Sequence, residues 1–274
     1  RQYSLFFSLK NIRIKNCSII SLTLKFAQGP QKLRPRLYFP GLLSTKIFNY
    51  KQSHHLKNVL RIKVGEKILL FDGHGHEVVA SVTLNDKKIV RFELVGEVKT
   101  VNRENKKSVV VAQGLCQASR MDYVVQKSVE LGAEIIAPII TERCQVRLNN
   151  SNLEKKVTRW KLIAENASQQ CGRNKLTKIL APQSLGGFLE TRRRKNAIKL
   201  MLNPTSSKRL VDVDFSASKD VVFLIGPEAG FSNFEENSGQ KADFKSVKIG
   251  KRILRTETVA VSLLSILNYV SGEF

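Results

Sequence analysis

Apolar and polar positions alternate differently on the two sides of residue 105. Before it, apolar residues come in short runs broken by turn residues. Arg36 to Pro40 reads as a first strand, and Gln52 to Ile62 as a short helix with Leu56, Val59 and Leu60 on one side. Glu66 to Asp72 ends in Asp72-Gly73, Glu77 to Leu84 ends in Asn85-Asp86, and Lys88 to Val98 follows, giving strands separated by turns. Short strands with one small helix predict a compact β-barrel over residues 35–104. Val101 to Lys107 is polar and charged, as a linker should be.

After the linker the runs lengthen. Ser108 to Leu115 is almost continuously apolar, and Met121 to Leu131 is helical, closed by Gly132. Ile135 to Ile140 reads as a buried strand. Leu153 to Gln170 is a longer helix, with Val157, Trp160, Ile163, Ala164 and Ala167 at helical spacing. Ala197 to Leu202 and Val221 to Ile225 are further buried strands, Val247 to Ile249 is a short one, and Thr256 to Val270 is the last helix. Unbroken apolar strands alternating with helices predict an α/β domain over residues 105–274, its parallel sheet covered on both faces.

Composition adds a partner. The 274 residues are 42% hydrophobic and 25% charged, which suits a folded, soluble protein with room for two domains. The 46 Lys and Arg against 23 Asp and Glu give a net charge of +23, which favours polyanions: RNA, DNA or an anionic membrane surface. The longest apolar run, Val259 to Val270, is interrupted by Ser262, Ser265 and Asn268 and is too short to span a bilayer, so it reads as a buried helix and no membrane partner is expected. The first 65 residues hold thirteen Lys or Arg and no acid. Residues 1–34 have the basic, acid-poor composition of an organelle transit peptide, which would place the protein in an organelle. They lack amphipathic periodicity, which favours an upstream translated stretch or a misplaced start; the expectation is a disordered or non-native leader and a protein of the bacterial cytoplasm.

Cys17, Cys116, Cys144 and Cys171 form no CxxC pair, so neither a zinc site nor a disulfide framework is expected. His74-Gly75-His76 lies in a turn without a nearby cysteine and reads as an ordinary loop; no metal is expected.

Four segments are candidates for chemistry. In Val221-Val-Phe-Leu-Ile-Gly-Pro-Glu-Ala-Gly-Phe-Ser232 a buried strand stops at Gly226-Pro227 and a Gly-containing loop follows. Open α/β sheets bind ligands just beyond the carboxyl ends of their strands, and small residues there let backbone groups approach a ligand. Ser232 and Glu235 have the spacing of a capping box. The loop is neither a Walker loop nor GxGxxG, which counts against a nucleotide-dependent enzyme on a doubly wound sheet. In Lys248-Ile-Gly-Lys-Arg-Ile-Leu-Arg-Thr-Glu-Thr258, Thr256 is the expected N-cap and Glu257 complements the helix dipole, while Arg252 and Arg255 suit a phosphate or a target base. Glu165 to Arg173 brings Gln169, Gln170 and Arg173 to a helix end, which on pattern alone is a solvated terminus. Lys127 to Ala133 ends a helix, and Thr141-Glu-Arg143 lies just past a strand end.

Together these segments resemble the RsmE family of ribosomal RNA methyltransferases in the SPOUT superfamily. The resemblance runs from about Arg36 to the C-terminus. It covers Val59-Leu60-Arg61 with Gly65, Glu130-Leu131-Gly132, Gln170 with Gly172 and Arg173, Ile225 to Gly230, and Arg252 to Thr258. It implies a PUA-like N-terminal barrel for RNA recognition and a C-terminal trefoil-knotted parallel sheet. It also implies a homodimer that binds S-adenosylmethionine (SAM) and methylates N3 of a uridine in 16S ribosomal RNA (rRNA), within the small ribosomal subunit. Carried onto this chain, the cofactor role falls on Leu202 and Asn203, on Ile225, Gly226, Pro227, Glu228 and Gly230, and on Ile249, Gly250, Ile253 and Leu254. Arg255, Glu257 and Arg173 are the catalytic candidates, and Arg36, Arg61, Arg120, Arg143 and Arg252 are assigned to the RNA. Ala229 stands where the family usually has glycine; a positive φ there would cost about 1 kcal/mol. The rival reading is a non-catalytic RNA-binding or ribosome-assembly protein, which need not bind SAM.

Overall fold

Apolar alternation in the N-terminal part does build a small β domain around its own core. The computed structural model describes residues 34–42, 44–86, 89–144, 150–191 and 196–274, so nearly all of the expected leader lies outside the described residues. Strands β1 (Arg36–Tyr38), β2 (Lys67–Phe71), β3 (His76–Asn85) and β4 (Val90–Thr100) form one sheet in that order, with β1 parallel to β2 and the other pairs antiparallel. Between β1 and β2 lies helix α1 (Tyr50–His54), continued by a π-helical turn over His55–Val59 and opened by a capping box between Asn49 and Gln52. Every second strand residue faces inward: Ile68 and Leu70, then Val78, Ala80 and Val82, then Val90 and Phe92. They meet Phe39, Phe48 and Leu56, and the three phenylalanine rings stack at centroid distances of 4.6–5.2 Å. The segment at Phe48 also closes on β4 through Phe48 N to Val90 O and Phe92 N to Lys46 O, both 3.1 Å. One expectation fails in α1. Of its three apolar residues only Leu56 is buried, while Val59 and Leu60 are exposed, because the wider π turn rotates them off the buried side.

The second sheet has seven strands: β5 (Ser108–Gly114), β6 (Ile135–Ile140), β7 (Lys178–Ile179), β8 (Gln183–Ser184), β9 (Ile198–Leu202), β10 (Asp220–Ile225) and β11 (Lys245–Val247). Their order is β11-β9-β10-β5-β6-β7, with β8 also on β6, and all pairs are parallel. The helices are α2 (Ala118–Glu130), α3 (Asn150–Cys171), α4 (Leu185–Thr191), α5 (Asn233–Lys241) and α6 (Thr256–Val270).

The unbroken apolar runs divide between two cores. Val109 and Val111 of β5 face one side with Val221, Phe223 and Ile225 of β10. There they meet Val124 and Val129 of α2, Trp160 and Ala164 of α3, and Leu263 and Leu267 of α6. Val110 and Ala112, with Val222 and Leu224, face the other side against Leu185, Phe188 and Phe231. A central strand that buries both faces cannot show alternation, which is why its sequence reads as continuous. Each fully buried Val, Leu or Phe stabilises the fold by roughly 1.5–3 kcal/mol. Pro138 sits inside β6 without cost to pairing, because the neighbouring strand changes there: Ile135 and Ile136 pair with β7, Ile139 and Ile140 with β8. The short elements β7, β8 and α4 carried no clear periodicity, and β11 begins two residues earlier than expected, leaving Lys248 onward as loop.

Candidate active site

Three strands of this sheet, β9, β10 and β11, end side by side, and a cavity of about 520 Å³ opens at their carboxyl ends. That volume is in the range of small-molecule sites. Its walls come from three loops and the start of α6. Leu202 ends β9 and Asn203 follows it; Ile225 ends β10 and Gly226, Pro227, Glu228 and Gly230 follow it; Ile249, Gly250, Ile253 and Leu254 follow β11. All eleven residues expected to touch a cofactor therefore line one cavity. Ala229 lines it with them, as does Thr256, which was expected only as an N-cap; Pro204, Val247 and Val259 line it as well and carried no functional signal in the sequence.

Local packing explains the shape of the loop after β10. A Cβ on Gly114 would lie 2.6 Å from Pro227 N and 2.9 Å from Gly226 C, so only glycine at the end of β5 lets that loop close down. Gly230 holds φ +69 and its N–H donates to Pro227 O at 3.0 Å. The left-handed position is thus Gly230, and Ala229 is not among the residues of positive φ. Behind the loop, Thr256 Oγ1 donates to Gly226 O at 2.6 Å and accepts from Gln113 Nε2 at 2.8 Å. The N-cap of α6 is Arg255 rather than Thr256, because the Thr256 hydroxyl is spent on the loop. Glu235 is buried and accepts from Ser232 N and Glu142 N, which joins the expected capping box to the loop after β6. Asn203 Oδ1 accepts from Thr205 N at 2.9 Å and fixes the turn after β9.

The rim is cationic. Arg120, Lys248, Arg252 and Arg255 all line the cavity. Arg120 Nη1 donates to Glu228 Oε1 at 2.9 Å, and its Nε lies 3.8 Å from Glu257 Oε1. Glu228 also accepts from Gln117 N at the start of α2. Glu257 does not line the cavity; it stands beside Arg120, which does, and its Oε2 is buried without a hydrogen-bond partner. The Cys116 thiol near these two carboxylates is pushed up to about 12 by burial and by the charges of Glu228 and Glu257.

Residues 103–268 match the family model for an RNA methyltransferase domain, and residues 49–95 match that for an RNA methyltransferase PUA domain. The chain is 31% identical over 212 residues to ribosomal RNA small subunit methyltransferase E of Mesomycoplasma hyopneumoniae, an alignment that covers 77% of this chain and 88% of the relative. The chain belongs to the ribosomal RNA small subunit methyltransferase E family. Among solved structures, the family's member from Neisseria gonorrhoeae bound to SAM superposes with a TM-score of 0.79 at 33% identity, covering 86% of this chain and 98% of that one. A Legionella pneumophila protein solved with bound SAM gives 0.81 at 36% identity, with coverage of 86% and 98%.

The cavity of this chain fits such a cofactor on its own terms. Leu202, Ile225, Ile249, Leu254 and Val259 supply apolar walls, and a Cβ on Gly230 or Gly250 would meet no atom within 4 Å, so both positions leave space beside the backbone.

Besides Glu257, four of the carried-over residues lie off the cavity wall: Arg173, Arg36, Arg61 and Arg143. Arg173 does not line the cavity. It is buried, and its guanidinium donates to Val129 O, Ala133 O, Thr177 Oγ1 and the Glu104 carboxylate. All three of its nitrogens are thus engaged in holding the fold, and the catalytic assignment of Arg173 is corrected. Arg36, expected on RNA, is withdrawn from solvent: its guanidinium donates to Ser168 O, Arg173 O and Asn174 Oδ1 and lies 4.1 Å from the Phe71 ring centroid. Of the other expected RNA residues, Arg61 is exposed after α1, and Arg143 is exposed with Nη1 donating to Ala229 O at 3.3 Å. His76, part of the HGH turn, pairs through Nδ1 with Asp72 Oδ2 at 2.6 Å. Among the described residues no group of three or more His, Cys, Asp or Glu gathers as a metal site, and no helix is long and apolar enough to cross a membrane.

Proposed function

We propose that this protein transfers a methyl group from SAM to N3 of a uridine in 16S rRNA, within the small ribosomal subunit and in the bacterial cytoplasm. The observation that carries the reading is the cavity at the ends of β9, β10 and β11, glycine-lined inside and arginine-rimmed outside. The domains are residues 35–104 for RNA recognition and 105–274 for catalysis. The three loops of the cavity form the trefoil knot, and two copies of the chain make the working dimer.

When bound, SAM supplies a methyl group already activated on a sulfonium, so the protein's tasks are positioning and removal of one proton. The loops after the three strands hold the cofactor between apolar walls and backbone polar groups. Uridine N3 is a poor nucleophile until it loses its proton. Arg255, at the mouth, stabilises the negative charge that develops on the uracil oxygens. The proton leaves through water at the cavity mouth, with Glu257, beside Arg120 just off the cavity wall, as its acceptor. Arg252 and Arg120 hold phosphate at the rim. N3 lies on the base-pairing edge, so the target uridine is unpaired or turned out of its stack when it enters.

Two measurements test the reading. Calorimetry should detect SAM binding to the purified protein, which a pure RNA scaffold does not require. Reverse transcription of rRNA should stop at the modified uridine in a parent strain and read through in a strain lacking the gene. A protein that ignores SAM, or rRNA with the same stop in both strains, refutes it.

A further inference from the structure

Arg36 is placed where neither solvent nor nucleic acid reaches it freely, with its side chain 11% exposed. From β1 of the N-terminal domain it crosses to the end of α3 and the turn that follows. Nη1 donates to Ser168 O at 2.8 Å, and Nη2 donates to Arg173 O at 3.0 Å and to Asn174 Oδ1. One face of the guanidinium lies over Phe71, and Glu77 Oε2 stands 3.8 Å away, itself held by Arg103 at 2.7 Å. Around this fork the two domains exchange backbone bonds: Gly75 N to Asn174 O and Leu176 N to Gly73 O, both 3.1 Å. Tyr38 N donates to Gln169 Oε1 at 3.0 Å. Arg173 extends the linkage inward, since its own side chain holds the end of α2 and the turn before β6 through Val129 O and Ala133 O.

Domain interfaces within one chain usually permit relative motion. A desolvated planar cation with fixed acceptors on the far side opposes it, because displacement would leave the charge buried and unpaired. The junction also lies at the amino ends of the strands, beside the linker that enters β5, whereas the cavity lies at the carboxyl ends. The seven residues of β5 separate the two by roughly 20 Å, so the junction acts on the cavity only by holding the domains rigid.

We infer that Arg36 is a positioning residue for methylation: it locks the N-terminal domain onto the methyltransferase sheet, so that rRNA gripped by the first is presented in fixed geometry for the second. The inference rests on the rRNA methylation proposed above. A lock of this kind raises the effective concentration of the target at the cavity without touching it.

The test compares wild type, Arg36→Ala and Arg36→Lys on small ribosomal subunits from a strain lacking the gene. Both variants should raise KM for the subunit about tenfold, with kcat per folded enzyme within about threefold of wild type. SAM affinity by calorimetry should be unchanged. Lysine keeps the charge but not the planar fork, so it should not rescue. The slope of log affinity against log salt should match wild type, whereas a lost phosphate contact would flatten it by about 0.9. Rescue by lysine or a flattened slope would make Arg36 an RNA contact and overturn the inference; so would an unchanged KM with kcat reduced only in proportion to the folded fraction. If Arg36→Ala does not fold, Gln169→Ala removes an uncharged bond of the same junction and should raise KM in the same direction; an unchanged KM there is equally fatal. Failure of wild type itself to methylate the subunits would instead refute the function proposed above.

Discussion

Arg255 and Gly114 show how much single residues decide in this protein. Arg255 lines the cavity at the start of α6, with no side-chain capping bond to occupy it. Arg255→Ala should lower kcat for rRNA methylation by at least about a hundredfold, the scale of one lost transition-state donor, while calorimetry finds SAM affinity unchanged. Wild-type turnover in that variant would end its proposed role. Gly114 acts through space rather than chemistry. Gly114→Ala drives a Cβ into Pro227 N at 2.6 Å, which only a shift of the cofactor loop can relieve. It should cost about 1–3 kcal/mol in a denaturant melt and weaken SAM binding in the same protein. The sequence marked Arg255 through its basic loop, but it gave no sign of Gly114, because the demand for glycine comes from a loop more than a hundred residues away.

At the level of elements, the sheet and helices were legible because their apolar patterns are local. Thr256 to Val270 is helical over the span expected, and Ile135 to Ile140 is the strand expected. What misled was chemistry shared between elements. Thr256 has the composition of an N-cap, yet its hydroxyl binds Gly226 O and Gln113 Nε2 instead. Thr256→Val keeps the shape and removes both bonds. It should destabilise the fold by about 1 kcal/mol, since Gly226 O keeps only the longer bond from Gln113 Nε2 at 3.4 Å and that amide keeps Gly114 O at 3.0 Å, and it should weaken SAM binding through the displaced loop. Equilibrium unfolding with calorimetry checks both. Glu235 is the opposite case: its capping box was readable from spacing, but its second bond, to Glu142 N across the site, was not. Arg173 had the look of a solvated helix end and, by resemblance, of a catalytic residue; burial against α2 and Glu104 makes it structural.

For the whole molecule, charge sets two behaviours. With 46 basic and 23 acidic residues, RNA binding should weaken steeply as salt rises. The few acids at the domain junction make its stability acid-sensitive. Hydrogen bonding from Arg103 outweighs burial and holds Glu77 below its ordinary 4.5. Burial would raise Asp72, but hydrogen bonds from His74 N–H and from His76 outweigh it and hold it below 3.8. Both carboxyls are depressed in the folded state, so the stability they contribute is complete above those ordinary values and is lost as pH falls through the lower folded ones. Thermal melts taken downward from pH 5 should show a falling Tm that Glu77→Gln, already lacking one of these charges, shows less steeply. Equal slopes would exclude Glu77 as a contributor.

Resemblance to a methyltransferase family marked the loops after β9, β10 and β11; the sequence by itself determined the local patterns, continuous apolar runs for a sheet buried on both faces and alternating ones for the smaller β domain. These follow from spacing along the chain, which sets the side-chain faces of strands and helices. Only the tertiary structure decided that Gly114 admits Pro227, that Thr256 serves the loop rather than its own helix, and that Arg36 and Arg173 turn inward to join the domains. Each of those depends on a partner far away in sequence, and a cation exposed to RNA and one locked inside a protein are the same letter until the acceptors around it are in place.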